Sequence, residues 1–260
     1  VIRLAVALAA AILVAFIAIP LAGLFFHVTA ADIGVALATP AALQALQLSL
    51  GTTLVSLAIT LVLGTPLAYI LARVPFPGRR IVDAIVDLPI VVPPAVAGLA
   101  LLLAFGRAGF FGPALNAFGI HLSFSTAAVV MAQLFVASPF YVRSARSGFA
   151  GVDRTFEAAS ATLGMGPLRT FWLITVPLAW PSLIGGTVLC WARALGEFGA
   201  TIMFAGNLIG VSQTLPLAVY LNLESGNVPL AVVLSTILIV ISLIVVVAVR
   251  ATADRGGATT

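Results

Sequence analysis

Few side chains in this sequence could do chemistry, and most of them fall in two stretches. Residues 154–177, RTFEAASATLGMGPLRTFWLITVP, form a long polar-flecked interval between apolar blocks, with Glu157 near its start. Residues 190–207, CWARALGEFGATIMFAGN, hold Arg193 and Glu197, the only charges inside an apolar block. Spaced i,i+4, these two would share one helix face, and ionisable groups at membrane depth face protein or water. The pair is therefore either an internal ion pair that holds the fold or part of a gate or pathway. Ala192, Gly196 and Ala200, with Gly199 beside them, make a small-residue stripe that would let another helix approach closely.

Other chemistries lack their residues. The twelve basic residues are all arginine, so no lysine exists for a phosphate-binding G-x-x-x-x-G-K-[ST] loop. If ATP drives this protein, a separate chain must bind it. Cys190 is the single cysteine; it excludes an internal disulfide and reads as a small apolar packing residue. His27 and His121 fall at the ends of apolar blocks, and no two carboxylates share a block, so neither a catalytic dyad nor a metal cluster is indicated. A proton- or sodium-coupled carrier would want more acidic groups at depth than Glu197 alone.

The elements that must position these residues are set by the bilayer. The chain is 62% hydrophobic and 8% charged, against about 25% charged in soluble domains. We read an all-α membrane protein with six spans at about 4–26, 46–72, 88–105, 124–141, 178–204 and 229–249. Residues 1–250 then form one transmembrane domain, and 251–260 a short disordered tail. The first apolar run exceeds the roughly 7–15 residues of a signal-peptide core and is long enough to cross about 30 Å of hydrocarbon. Residues 28–45, 106–123 and 205–228 read as loops, and 81–86 as a brief interfacial helix. Pro89, Pro93 and Pro94 forbid a regular third span, and a broken helix at depth must be covered by protein or line a cavity. The sixth span, rich in Val, Ile and Leu, reads as lipid-facing. The serines and threonines of the second span (Ser49, Thr52, Thr53, Ser56 and Thr60) are placed to bond backbone or neighbouring helices.

Charge sets the orientation. Arg3, Arg73, Arg79, Arg80, Arg143, Arg146, Arg154, Arg169, Arg250 and Arg255 fall on one side of this topology, with Arg107 on the other. The arginine-rich side is cytoplasmic by the positive-inside rule, which puts both termini and residues 154–177 in the cytoplasm. The basic residues are strung along span ends, so the net charge of +4 reports topology and not nucleic-acid binding.

Within 154–177, Glu157-Ala158-Ala159 opens a helix and Gly164, Gly166 and Pro167 turn and restart it. Ile174 and Pro177 then follow, and Pro177 reads as the start of the next membrane block. The spacing of Glu157, Ala158, Ala159, Gly164, Ile174 and Pro177 resembles the EAA loop of ABC importer permeases. That resemblance implies a type I importer permease fold and a coupling helix that docks on an ATPase subunit. Glu157 would anchor the helix by pairing or capping, and Gly164 would supply its turn. It also implies a homodimer with a shared pore in the cell membrane and surrounding lipid, and two ATPase copies that carry the ATP and Mg. An extracytoplasmic oxyanion-binding protein would deliver the cargo. No cofactor would be bound by this chain.

The runs ARALGEFGATIMFAGN, QTLPLAVY (213–220) and DLPIVVPPAVAG (87–98) resemble the molybdate branch of that family, with tungstate as a near-equal cargo. Sulfate and thiosulfate permeases share the plan but usually carry Tyr where Phe198 stands. Residues 207–212, NLIGVS, depart from the proline and basic residue frequent in the molybdate branch. An arginine already neutralised by Glu197 is a weak anion trap, which suits a conduit that must release its cargo. A secondary transporter or membrane-embedded enzyme is the remote alternative.

Overall fold

In the computed structural model the backbone of residues 2–257 and the side chains of residues 3–247 are described. Among the described residues the chain folds into thirteen α-helices and one π turn, with no strand. Five helices are long and apolar enough to cross a membrane, and a sharply bent pair makes a sixth candidate crossing. The long ones are α1 (Ile2–Phe26), α3 (Pro40–Arg73), α7 (Thr126–Gly151), α10 (Val176–Leu195) with the segment before it, and α13 (Val228–Gly257).

The helix ends differ from the six expected spans in ways the residues explain. The second span was placed at 46–72, but α3 begins at Pro40, whose fixed φ suits a first helical position. The 34 residues of α3 reach about 50 Å, well beyond a hydrocarbon core of about 30 Å. The fourth span, placed at 124–141, is α7; it starts on a Ser125 cap that accepts from the Ala128 N–H (3.2 Å) and runs on to Gly151.

The third span, 88–105, is not one helix. α4 (Arg79–Val91) absorbs the expected interfacial segment 81–86 and carries Pro89 inside it; α5 (Pro94–Phe105) follows at a bend of 118°. Val92 and Pro93 are extended because each precedes a proline, which disfavours the α region. α4 is clipped to α7 by the Asp83–Arg146 ion pair and by Asp87–Arg143 at 3.6 Å. The fifth span, 178–204, starts earlier than expected and breaks before its end, at residues 196–198.

The expected loops also carry helices: α2 (Ala30–Ala38), α6 (Gly112–Ala117) and α12 (Leu215–Glu224). α2 is closed by a capping box between Thr29 and Asp32. α13 is not purely lipid-facing. Its first half buries Ala231, Leu234, Thr236 and Ile237, and it packs on α12, α10 and α2. The expected disordered tail is helical as far as Gly257, and residues 258–260 lie outside the described residues. α1 leaves residues 3–21 exposed and touches α13.

The core holds three clusters. One joins α3, α7 and α10 through Leu71, Tyr141, Phe149 and Leu183; one joins α5, α7 and α11 (Gly199–Ala205) through Leu101, Ala132 and Phe204; one joins α2, α3, α12 and α13 through Ala45, Leu215 and Leu234. Small residues bring α7 and α10 together. A Cβ on Gly148 would lie 2.5 Å from Ser182 Cβ, and one on Gly186 would lie 2.7 Å from Ser144 Cβ. Ser144 and Gly148 are thus matched against Gly186 and Ser182 in reciprocal order, and the Ser144 hydroxyl donates to the Ser182 carbonyl at 2.7 Å. In lipid, where apolar burial between helices is weak, such close backbone approach carries the association.

Candidate functional site: residues 153–177 and the break in the fifth span

Residues 153–177 fold locally from their own signals. Asp153 caps α8 (Arg154–Thr162), its carboxylate accepting from the Thr155 N–H at 2.9 Å. That hydrogen bond holds the Asp153 carboxyl below the usual carboxylate range. Gly164 ends the turn at φ +79°, a conformation that costs an L side chain. Its N–H donates to the Ala161 carbonyl (3.0 Å), and that of Met165 to the Ser160 carbonyl (3.0 Å). Pro167 then opens α9 (Pro167–Thr170) at its first position.

α9 is not a separate short helix, and Pro177 does not start a new one. α9, a π turn (Phe171–Thr175) and α10 form one continuous helix, Pro167–Leu195, of 29 residues. Pro177 has no N–H and its ring crowds the preceding turn. The helix widens to a π turn just before it, with the Val176 N–H donating to the Phe171 carbonyl. Ile174, half-buried, lies in this widened turn.

The π turn aims Thr175 at Glu157: the Thr175 hydroxyl donates to Glu157 Oε1 at 2.9 Å. Arg73, the last residue of α3, places Nη2 3.4 Å from the same oxygen. A second tie joins α8 to α9, where the Ser160 and Thr170 hydroxyls meet at 2.8 Å. Tyr69, Phe149, Phe171 and Trp172 pack edge-on or tilted against one another, with ring centroids 5.0–5.9 Å apart. Glu157 therefore faces inward. Ala158 and Ala159 are exposed, and so are the large apolar residues Phe156, Leu163 and Leu168.

The second stretch also differs from a regular helix. α10 ends at Leu195, so Arg193 and Glu197 do not share a continuous helix face. They pair nonetheless, Arg193 Nη1 to Glu197 Oε2 at 2.7 Å, with side chains 29% and 1% exposed. Glu197 Oε1 accepts from the Ala200 N–H at 2.7 Å. One carboxylate thus bridges the break, neutralising Arg193 in the last turn of α10 and capping the first turn of α11.

The stripe of Ala192, Gly196 and Ala200 is interrupted by this break, and Gly196 is exposed. Gly199 and Ala200 meet α5 of the same chain. A Cβ on Gly199 would fall 2.8 Å from Pro94 Cβ, and one on Gly98 would fall 2.5 Å from the Ala200 carbonyl. Pro93 and Pro94 therefore start α5 where it meets α11. The two broken crossings, α4–α5 and α10–α11, pack on each other at their breaks.

Three features were not read from the sequence. Arg73 was counted as a topology marker and proves to be a buried partner of Glu157. Thr175 was passed over because its role depends on the widened turn. The reciprocal small-residue pairs on α7 and α10 do have a sequence signal, Ser-x-x-x-Gly twice at 144–148 and 182–186. Ser49 was read correctly as a bonding residue: its hydroxyl accepts from the Leu215 N–H at 2.7 Å, which ties α3 to α12.

The chain resembles known proteins over most of its length. It is 41% identical over 243 residues to the molybdenum transport system permease protein ModB of Mycobacterium tuberculosis, covering 94% of this chain and 92% of that one. It is 42% identical over 208 residues to the Escherichia coli protein of the same description, covering 78% and 90%. Its fold matches a subunit in the crystal structure of a bacterial ABC transporter involved in import of the acidic polysaccharide alginate. That match has a TM-score of 0.77 at 17% identity and covers 98% and 95% of the two chains. With residues 64–255 matching the family model as well, the chain belongs to the family described as the binding-protein-dependent transport system inner membrane component.

Proposed function

We propose that this multi-pass membrane protein is the permease subunit of an ATP-driven importer of molybdate, with tungstate as a near-equal cargo. Two copies form the pathway. An ATPase subunit docks on each α8–α9 element, and an extracytoplasmic binding protein delivers the oxyanion. Both termini and the α8–α9 element face the cytoplasm. The ATPase subunits carry ATP and Mg.

The observation that carries the reading is the build of α8. Its family-motif carboxylate is tied inward to Arg73 and Thr175, while Phe156, Leu163 and Leu168 stand exposed beside Ala158 and Ala159. An exposed apolar face on an internally braced helix fits a groove in a soluble partner. The resemblance to two molybdenum-transport permeases at 41% and 42% identity supports the cargo.

The geometry supports a mechanical route. A push on α8 reaches α9 through Ser160 and Thr170, and α9 is continuous with α10. The 29-residue helix Pro167–Leu195 is a lever of about 44 Å. Its far end is the break at Gly196, where Glu197 holds α10 and α11 together. ATP-driven closure of the ATPase pair draws the two α8–α9 elements together. Each lever then tilts its own break, and the pathway alternates between its two openings.

The test is transport by the assembled complex with competing oxyanions. Labelled molybdate uptake should be blocked by equimolar tungstate and little affected by sulfate. Uptake of sulfate in preference to molybdate would reassign the cargo. Failure of the chain to co-purify with an ATPase subunit would remove the docking role of α8.

A further inference from the structure

Arg73 ends α3 on the membrane face that carries α8, and its side chain is 8% exposed. Its guanidinium reaches two other segments directly and, through Glu157, a third. Nη2 donates to the Val152 carbonyl at 2.6 Å, between α7 and α8, and lies 3.4 Å from Glu157 Oε1 on α8. That oxygen accepts from Thr175 in the π turn. The Arg73 carbonyl in turn accepts from Arg154 Nη2 on α8 at 3.3 Å.

So α3 and the first turn of α8 are tied twice, in opposite directions, by two arginines. A buried guanidinium that loses its partners is left as an uncompensated charge. The node therefore resists separation in a way that the half-exposed Arg143–Asp87 pair on the same face does not. Both contacts are made from one nitrogen, Nη2, at the end of the arginine stem, a position that the shorter, more strongly hydrated lysine ammonium reaches less well.

We infer that Arg73 is a positioning residue of the energy-coupling step: a strut that makes α3 move with α8. The docking element then drives two long helices, α10 through its unbroken chain and α3 through this node. α3 packs along α7 and α10 and bonds to α12 through Ser49, so its displacement reaches the opposite membrane face. This rests on the reading that α8 docks on an ATPase subunit.

The experiment uses the full complex in vesicles, comparing wild type, Arg73→Gln and Arg73→Lys. Uptake per ATP hydrolysed is the primary readout. Spin labels at V74C and A161C, in a C190A background, report whether the end of α3 and α8 move as one body. In wild type the label separation should be the same with and without ATP. In Arg73→Gln the ATPase should still bind and hydrolyse ATP, while uptake per ATP falls about tenfold, within the usual range of coupling between sites. The label separation should broaden and change with nucleotide. Arg73→Lys should lie between the two. A merely structural role would lower the melting temperature and leave uptake per ATP unchanged; that result overturns the strut. If Arg73→Gln does not assemble, Arg73→Lys decides: a wild-type ratio there overturns the proposal. A wild-type complex without ATP-driven uptake removes the docking reading and the strut with it. A coupled wild type beside an equally coupled Arg73→Gln removes the strut alone.

Discussion

Replacing Arg193 with alanine strands a carboxylate that has almost no access to water. Glu197 is 1% exposed and Arg193 29%, with Nη1 2.7 Å from Oε2. Removing one partner of a fully buried pair costs about 3–5 kcal/mol; because Arg193 is only partly buried, we take about 2–4 kcal/mol. In a chain of this size that is roughly 5–15 °C in melting temperature.

The reciprocal change is milder for a structural reason. Glu197→Gln keeps an oxygen to accept from the Ala200 N–H and strands no buried carboxylate, so the loss is about 1 kcal/mol. The double variant Arg193→Ala with Glu197→Gln removes the stranded charge and should be more stable than Arg193→Ala alone. The assay is thermal unfolding of the purified, detergent-solubilised protein, with all three variants scanned at one rate because such unfolding is commonly irreversible. The reasoning is refuted if the double variant melts below Arg193→Ala, or if Arg193→Ala melts with wild type.

Other outcomes follow from the same geometry. Glu157→Lys sets a second cation beside Arg73, where a carboxylate oxygen stands 3.4 Å away in the wild type, and removes the acceptor for Thr175; membrane insertion should persist while ATP-driven uptake falls about tenfold or more, and normal uptake would contradict the inward anchoring of Glu157. Gly98→Val would force side-chain atoms against the Ala200 carbonyl, 2.5 Å from the Cβ position, costing about 1–3 kcal/mol as overpacking; an unchanged melting curve would deny the contact of α5 with α11. The cap of α8 should be acid-sensitive. The folded Asp153 carboxyl lies below its ordinary value of 3.8 because the Thr155 N–H bonds its charged form. Its stabilisation is therefore complete above that value and lost as the pH falls through the lowered folded one. A spin label at residue 161 should gain mobility only in that acid range, and equal mobility in wild type and Asp153→Ala at neutral pH would dismiss the cap.

The class of the fold and the helix, reversal and restart of residues 154–170 were legible because their signals are local. Long apolar runs announce spans, and the order Glu157-Ala158-Ala159, Gly164, Pro167 announces a helix, a reversal and a restart. The breaks were half legible. Pro93 and Pro94 showed that the third crossing is irregular, but a 118° bend into two helices depends on what α7 and α11 offer on either side. The fifth-span break had a weaker sign in Gly196 and Gly199, and the i,i+4 spacing of Arg193 and Glu197 argued the other way. The pairing was right and the shared helix face was wrong, since a carboxylate just past a helix end can still reach back one turn. Arg73 was hidden by its type: an arginine at a span end is usually a topology signal, and only the folded positions of Val152, Glu157 and Arg154 give it a second role. Pro177 misled in the opposite direction, because one widened turn lets a helix continue through a residue that normally stops it.

The most direct test of the central claim is sided transport in reconstituted vesicles. The complex of this chain with its ATPase subunits is oriented with α8 toward the lumen, ATP is enclosed, and the binding protein and labelled molybdate are supplied outside. We predict accumulation that requires all three and stops when ATP is absent from the α8 side. Accumulation without ATP, or with ATP only on the opposite side, would contradict an importer driven through α8.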